Sequence, residues 1–108
     1  MRYNKYGAKI TEYNGIKYHS KREATYAEQL DWKVKLGEIK SWTRQIRIPL
    51  VVSKHLICTY ILDFIVVAND DHKQYIEVKG FETPEFKIKW RLLQALNEDK
   101  TIEFLLVK

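Results

Sequence analysis

The sequence lacks the features of disulfide-rich, zinc-binding and membrane-spanning proteins. Its one cysteine, Cys58, excludes an internal disulfide and weakly indicates a reducing compartment. The three histidines (His19, His55 and His72) are scattered, so the Cys/His spacing of a zinc site is missing. No apolar run is long enough to cross a membrane, and the N-terminus has no apolar signal segment. We therefore expect a cytoplasmic protein with no membrane association.

Glycine and proline are also scarce, with four and two residues among 108, and no linker or low-complexity segment is present. Hydrophobic residues make up 45% of the chain, and seven Tyr, four Phe and three Trp are among them. Such a composition favours a folded chain over a disordered one. A chain of this length forms one modest core, so the sequence predicts a single domain over residues 1–108.

The net charge of +5 is unevenly distributed. Residues 1–22 contain six basic side chains and one acid, Glu12, whereas the other 86 residues have 13 of each. A basic segment interleaved with tyrosines suits a nucleic-acid backbone with exposed bases nearby, and a solvated tail that aids solubility is an equal alternative. The basic residues of this segment are Arg2, Lys5, Lys9, Lys17, Lys21 and Arg22.

Asp63 to Lys79 is the most informative stretch of the chain. A nearly continuous apolar run, Tyr60 to Ala68, is interrupted by Asp63 and followed by a polar turn and by the strand-like sequence Gln74 to Lys79. Side chains alternate along a strand, so Glu77 and Lys79 share a face, and Asp63 can face Glu77 if the strands are neighbours.

Two carboxylates at close range repel each other and raise each other's pKa unless a positive charge lies between them. A divalent metal held by oxygen ligands, with the Lys79 ammonium beside it, would satisfy Asp63 and Glu77. The alternatives are a surface Glu-x-Lys ion pair and an aspartate that caps a buried turn. We favour the metal site because a buried ionisable group inside an apolar strand needs a reason.

The motif Asp63, thirteen intervening residues and Glu77-Val78-Lys79 resembles the Asp…Glu-x-Lys signature of the PD-(D/E)XK nuclease superfamily. The surrounding residues are similar to those of small phage-encoded members and Holliday junction resolvases. Leu62 stands where proline is frequent before the first acid. The resemblance covers the chain from about Gly15 to the C-terminus. It implies a restriction-endonuclease-like αβββαβ core with a mixed sheet, here preceded by a β-hairpin.

The resemblance also implies a Mg²⁺- or Mn²⁺-dependent endodeoxyribonuclease, acting in the host cell if a phage encodes the chain. Asp63 and Glu77 would hold the metal, the Val78 carbonyl would be an extra ligand, and Lys79 would orient water or neutralise phosphate. A junction resolvase would be a homodimer and a nicking enzyme a monomer. The alternative from another class is a non-catalytic nucleic-acid-binding or adaptor protein that keeps the nuclease fold.

Glu23 has two interpretations. Ser20-x-x-Glu23 is a capping box, in which the glutamate reaches back to the Ser20 amide at a helix N-terminus. The resemblance offers the other, because many superfamily members have an extra acid on the first helix. Glu23 is then a third catalytic and metal-binding acid.

The remaining elements follow from turn and capping signals. We expect a basic arm (residues 1–9), a hairpin (10–19) that turns at Asn14-Gly15, and the core in residues 20–108, with a first helix that ends near Gly37. That helix should bury Ala24, Ala27, Leu30 and Val34.

Further along the chain, we expect one long strand or a bent pair over residues 39–52, which Pro49 places at an edge or a bulge, and a turn over residues 53–59. Thr83-Pro84 begins a second helix, and residues 101–107 form the last strand. Lys87 and Arg91 on the second helix would contact a DNA backbone, although a solvated basic face is the common outcome for such residues.

Overall fold

The structure, a computed structural model, describes residues 11–108. Its contacts divide the described residues into two compact units, 11–38 and 39–108. The strands and helices, in chain order, are β1 (Thr11–Tyr13), β2 (Ile16–Tyr18), α1 (Lys21–Lys35), β3 (Ser41–Val52), β4 (His55–Val67), β5 (Lys73–Val78), α2 (Pro84–Leu96) and β6 (Ile102–Val107). This order confirms the predicted α+β fold, in which a hairpin precedes an αβββαβ arrangement.

The N-terminal unit consists of the hairpin and α1. Strands β1 and β2 pair antiparallel, and the predicted turn residues Asn14 and Gly15 have φ angles of 52° and 78°. Both angles lie in the left-handed region that a type I′ turn requires. The Tyr13 hydroxyl donates a 2.7 Å hydrogen bond to Asp31 Oδ2 and so connects the hairpin to α1.

Helix α1 begins and ends at the predicted signals. The Ser20 hydroxyl accepts a 3.1 Å hydrogen bond from the Glu23 amide, and Gly37 has the positive φ of 74° that follows many helix ends. The buried stripe is shorter than predicted, because Val34 is 39% exposed. The helix ends at Lys35, so Val34 belongs to its last turn, beyond the buried residues Ala24, Ala27 and Leu30.

The C-terminal unit is built on a four-stranded sheet in the order β3-β4-β5-β6. Strand β4 pairs antiparallel with β3 and β5, whereas β5 and β6 pair parallel across the α2 crossover, so the sheet is mixed as predicted. Strand β3 lies at the edge of the sheet. Proline has no backbone N–H to donate to a neighbouring strand, and an edge strand tolerates this loss, so Pro49 is accommodated there. Asp63 therefore lies on an interior strand of the sheet.

The turn predicted over residues 53–59 is wrong. Only Ser53 and Lys54 turn the chain, with φ angles of 48° and 68°, and β4 begins at His55. Residues 55, 56, 58 and 59 are paired with β3, where Leu56 lies opposite Val51 and Cys58 lies opposite Leu50, and the register shift between these two pairs leaves Ile57 as a bulge. The aliphatic residues at positions 56 and 57 favour extended backbone, so the hairpin is longer than its polar residues indicated.

One face of the sheet packs against α2. Thr83 caps this helix by accepting a 3.1 Å hydrogen bond from the Phe86 amide, and Pro84 occupies the first turn, as predicted. The buried residues of this core are Leu50, Tyr60, Leu62, Phe86 and Leu93. No helix within residues 11–108 is long and apolar enough to cross a membrane.

Candidate functional site

Asp63 and Glu77 lie opposite each other on neighbouring strands. The β4–β5 register pairs Phe64 with Ile76, and one residue further it brings Asp63 opposite Glu77. The Val78 amide donates a 2.8 Å hydrogen bond to Asp63 Oδ2, which fixes the aspartate at the end of β5. A hydrogen bond between the two carboxyl groups is one of the interactions that raise the pKa of Glu77. The structure therefore brings these two predicted ligands together.

The strands are irregular at the level of Asp63. Leu62 and Ile65 would lie on opposite faces of a regular strand, yet both pack in the core beneath α2. On β3, the residue opposite Asp63 is Gln45, and its φ angle of 52° is uncommon for a residue other than glycine. The interrupted alternation sets Asp63 apart from the apolar side chains on either side of it.

Glu77 is the more deeply buried of the two acids, with 7% of its surface exposed. Burial is the largest cause that raises the pKa of Glu77, to about 8 from an ordinary value of 4.5, and the charge of Asp63 is the next. A hydrogen bond from Tyr60 and the charge of Lys79 oppose this rise. Burial and the neighbouring charge therefore favour the protonated form of Glu77 in the metal-free protein.

Tyr60 is the residue of the site that sequence reasoning missed. Its hydroxyl, itself buried, donates a 2.9 Å hydrogen bond to Glu77 Oε1. Burial and the neighbouring acids raise the pKa of the Tyr60 phenol, so this group remains a donor. Strict alternation would place Tyr60 on the opposite face from Asp63, and the interruption at Asp63 brings both residues to Glu77. The signal in the sequence was a tyrosine three residues before a buried acid.

Lys79 follows the last residue of β5 and is anchored by its amide, which donates a 2.8 Å hydrogen bond to the Val107 carbonyl of β6. Its Nζ atom lies 4.9 Å from the centre of the Phe86 ring, in the first turn of α2. A cation over an aromatic face gains a favourable electrostatic interaction. The ammonium group is therefore held at the N-terminal end of α2, near enough to Glu77 to lower its pKa.

The carboxylate oxygens of the site are ligands of the type that a hard divalent cation prefers, and the site offers two such groups. Mg²⁺ prefers oxygen ligands and commonly uses one or two carboxylates together with water and substrate phosphate. Asp63 and Glu77 offer such a pair, and a cation between them would offset the repulsion that contributes to the raised pKa of Glu77. Within residues 11–108, no group of three or more His, Cys, Asp or Glu side chains is arranged to hold a metal.

The other predicted site residues are dispersed. Glu23 is buried on α1 in the N-terminal unit, where its amide is part of the Ser20 cap. The side chains of Lys17, Lys21 and Arg22 are exposed in that unit, and those of Lys87 and Arg91 are exposed on α2. Arg2, Lys5 and Lys9 lie outside the described residues. Nucleic-acid binding by these residues and a metal-binding role for Glu23 stay predictions.

Comparison with known proteins identifies a family but no activity. Neither curated proteins nor solved structures gave a match. A family model described as "Protein of unknown function (DUF1064)" matches residues 3–106, which include both strands of the candidate site. Because that match covers nearly the whole chain, the protein belongs to the DUF1064 family.

Proposed function

We propose that this protein is a metal-dependent endodeoxyribonuclease that hydrolyses phosphodiester bonds with Mg²⁺ or Mn²⁺. The observation that carries the proposal is the pair formed by the half-buried Asp63 and the buried Glu77, in which burial first and the charge of Asp63 second raise the pKa of Glu77 to about 8. A buried acid pair is costly unless a cation meets it, and perturbed pKa values are concentrated at functional sites. The similarity of the motif to the PD-(D/E)XK signature gives the proposal its reaction class.

Each residue of the pair has a partner that would orient it toward a cation. The Val78 amide fixes one oxygen of Asp63, and the Tyr60 hydroxyl fixes one oxygen of Glu77. The Val78 carbonyl would be a further ligand. When bound, the metal would supply an activated water and offset the negative charge that grows on the phosphate.

Lys79 would act on the phosphate and the attacking water. Its ammonium is a compact charge with three donors, which suits neutralisation of a phosphate oxygen or orientation of a water molecule. The contact with the Phe86 ring holds the Lys79 ammonium near the acid pair. Lys79 would therefore contribute to the chemical step and little to metal affinity.

One observation favours a second candidate function. Fewer than three metal-ligating side chains meet at any point among residues 11–108. A nucleic-acid-binding or adaptor protein that retains the nuclease fold would need no more than this. In such a protein Glu77 would stay protonated at neutral pH when Mn²⁺ is added, because the ion would not bind.

A cleavage assay distinguishes the two functions. Purified protein is incubated with duplex, flap, four-way-junction and single-stranded DNA in Mg²⁺, in Mn²⁺ and in EDTA. The nuclease proposal expects cleavage of at least one DNA in metal, none in EDTA, and none by Asp63→Asn. Glu98→Gln, which removes an exposed carboxylate on the same unit, is the matched control and should cleave normally. DNA binding without cleavage under every condition would favour the adaptor.

The same assay addresses the oligomeric state. A junction resolvase would cut paired strands as a symmetric homodimer, whereas a nicking nuclease would act as a monomer. Sedimentation of the protein, alone and with the DNA that it cleaves, separates these cases.

A further inference from the structure

The β3–β4 hairpin ends in seven consecutive exposed residues, Val51–Ile57, which we call the hairpin tip. The tip includes the turn at Ser53 and Lys54 and the bulge at Ile57, and since every one of its residues is exposed, the described residues cover neither of its faces. Four of the seven residues are large and aliphatic, with exposed fractions between 41% and 62%: Val51, Val52, Leu56 and Ile57. Such a concentration of exposed apolar side chains is typical of a binding surface.

The charge around the tip is of one sign. Residues 39–62, which include the tip, contain four lysines and arginines and no acid. Lys40 is engaged with Asp71 at 2.7 Å, at the opposite end of the hairpin, whereas Arg47 and Lys54 are exposed. Lys54 lies in the turn and Arg47 lies opposite Ile61, so the exposed positive charge extends along the hairpin from its turn toward the level of Asp63.

The opposite end of the sheet, which we call the acidic end, has four acids in its turns and three lysines beside them. The β4–β5 turn contains Asp70 and Asp71, the turn between α2 and β6 contains Glu98 and Asp99, and the lysines are Lys40, Lys73 and Lys100. The two turns adjoin, since the Lys73 amide donates to the Thr101 carbonyl at 2.8 Å. An anionic partner meets no acid in residues 39–62 and four acids at the other end, and Asp63 lies between the two ends on β4.

We propose that the hairpin tip, together with Arg47 on β3, is a nucleic-acid contact, in which Arg47 and Lys54 bind phosphates while Leu56 and Ile57 insert between bases or against sugars. A two-stranded ribbon fits the width of the DNA major groove, and aliphatic wedges are used by proteins that kink DNA from the minor groove. The inference rests on the proposed function, because it takes the DNA substrate as the partner of this surface.

The length of the hairpin places the tip within reach of the same DNA. Ile57 precedes Asp63 by six residues, about 20 Å of extended strand, which is the length of roughly six base-pair steps. A second copy of this chain is a less suitable occupant. A two-fold contact would bring the Lys54 and Arg47 side chains of both copies together with no acid of residues 39–62 between them.

Two variants of the full chain separate the two kinds of contact. Arg47→Gln/Lys54→Gln removes the cations, and Leu56→Ser/Ile57→Ser removes the wedge. The matched control, Lys73→Gln/Lys100→Gln, removes two exposed cations from the acidic end of the sheet. Binding to a duplex that contains 2-aminopurine is measured in EDTA by anisotropy and by fluorescence of the probe base, over a range of salt concentrations. The tip residues are exposed, so all variants should melt as the wild type does.

The proposal expects a distinct result for each variant. Loss of two phosphate contacts should reduce the slope of log affinity against log salt by about 1.8, at roughly 0.9 per contact. Loss of the wedge should abolish the increase in 2-aminopurine fluorescence while the salt slope is kept, and the control should match the wild type. Tip variants that bind and unstack DNA as the wild type does would overturn the inference. A wedge variant that changes only the oligomeric state would also overturn it, in favour of a second copy.

Failure of this inference is distinguishable from failure of the proposed function. If the wild type cleaves DNA in Mg²⁺ and the tip variants bind unchanged, only the role of the tip is refuted. If the wild type neither binds nor cleaves DNA, the proposed function fails, and the inference fails with it.

Discussion

Replacing Asp63 with asparagine should stabilise the metal-free protein at alkaline pH, although the change is made inside the sheet. The pKa of Glu77 is about 8 in the folded protein and 4.5 without the fold, so folding takes up a proton between these two values. The contribution of Glu77 to stability is therefore most favourable below pH 4.5, declines as the pH rises, and reaches its minimum above pH 8.

The size of the effect follows from the causes of the shift. Each pKa unit corresponds to about 1.4 kcal/mol, so the whole shift makes the free energy of unfolding smaller by a few kcal/mol between pH 4.5 and 8. Burial is the largest cause and remains in the variant, whereas the charge of Asp63 is the second cause and is removed. We therefore expect the free energy of unfolding of Asp63→Asn at pH 9 to exceed that of the wild type by about 1 kcal/mol, which corresponds to nearly one pKa unit. The asparagine oxygen still accepts from the Val78 amide, which keeps the hydrogen bond of the wild type.

Urea unfolding in EDTA at intervals from pH 5 to pH 9 measures this gain. The stability of the wild type should fall more steeply with pH than that of Asp63→Asn, and Glu98→Gln should follow the wild type. Added Mn²⁺ should raise the melting temperature of the wild type and leave that of Asp63→Asn unchanged, because a ligand stabilises only the protein that binds it. A variant that is less stable at every pH, yet still responds to Mn²⁺, would show that Asp63 is a structural group.

Three further substitutions test the neighbours of the acid pair. Lys79→Ala should keep Mn²⁺ affinity, because loss of its charge raises the pKa of Glu77 but also removes a repulsion toward the cation, and it should reduce the cleavage rate by orders of magnitude. An equal loss in both measurements would make this residue a metal-site component. Glu23→Gln should cleave normally if the residue belongs only to the cap at Ser20, since an amide can also cap, and a loss of cleavage would instead support a third acid. Tyr60→Phe should destabilise the protein by about 1 kcal/mol and weaken Mn²⁺ binding at pH 7, because its hydroxyl lowers the pKa of Glu77. An unchanged Mn²⁺ affinity would show that Tyr60 stabilises the fold and has no effect on metal binding.

The sequence predicted those elements whose ends are determined by local chemistry. Asn14-Gly15 turns the hairpin, Gly37 follows α1, and Thr83-Pro84 begins α2, as their backbone preferences require. The turn at Ser53-Lys54 was predicted at the right place but too long, because neither residue is one that usually adopts a positive φ and so marks a two-residue turn. Its conformation depends on the pairing of the two long strands on either side of it.

The candidate site was also predictable only in part. Periodicity and register indicated that Asp63 would meet Glu77, since both lie on neighbouring strands. The bond from Tyr60 to Glu77 was not predictable, because it depends on the interrupted alternation beside Asp63 and the left-handed Gln45 opposite it. A tertiary distortion of this kind leaves no periodic signal in the sequence.

We propose that Asp63 and Glu77 hold a divalent metal in place of the proton on Glu77. Calorimetric titration of the protein with Mn²⁺ at pH 7, in two buffers that differ in ionisation enthalpy, measures metal binding and proton release together. The account predicts binding with release of about one proton per ion, because the pKa of Glu77 is about 8. Binding should be lost in both Asp63→Asn and Glu77→Gln. A protein that binds no Mn²⁺, or binding that survives both substitutions, would contradict it.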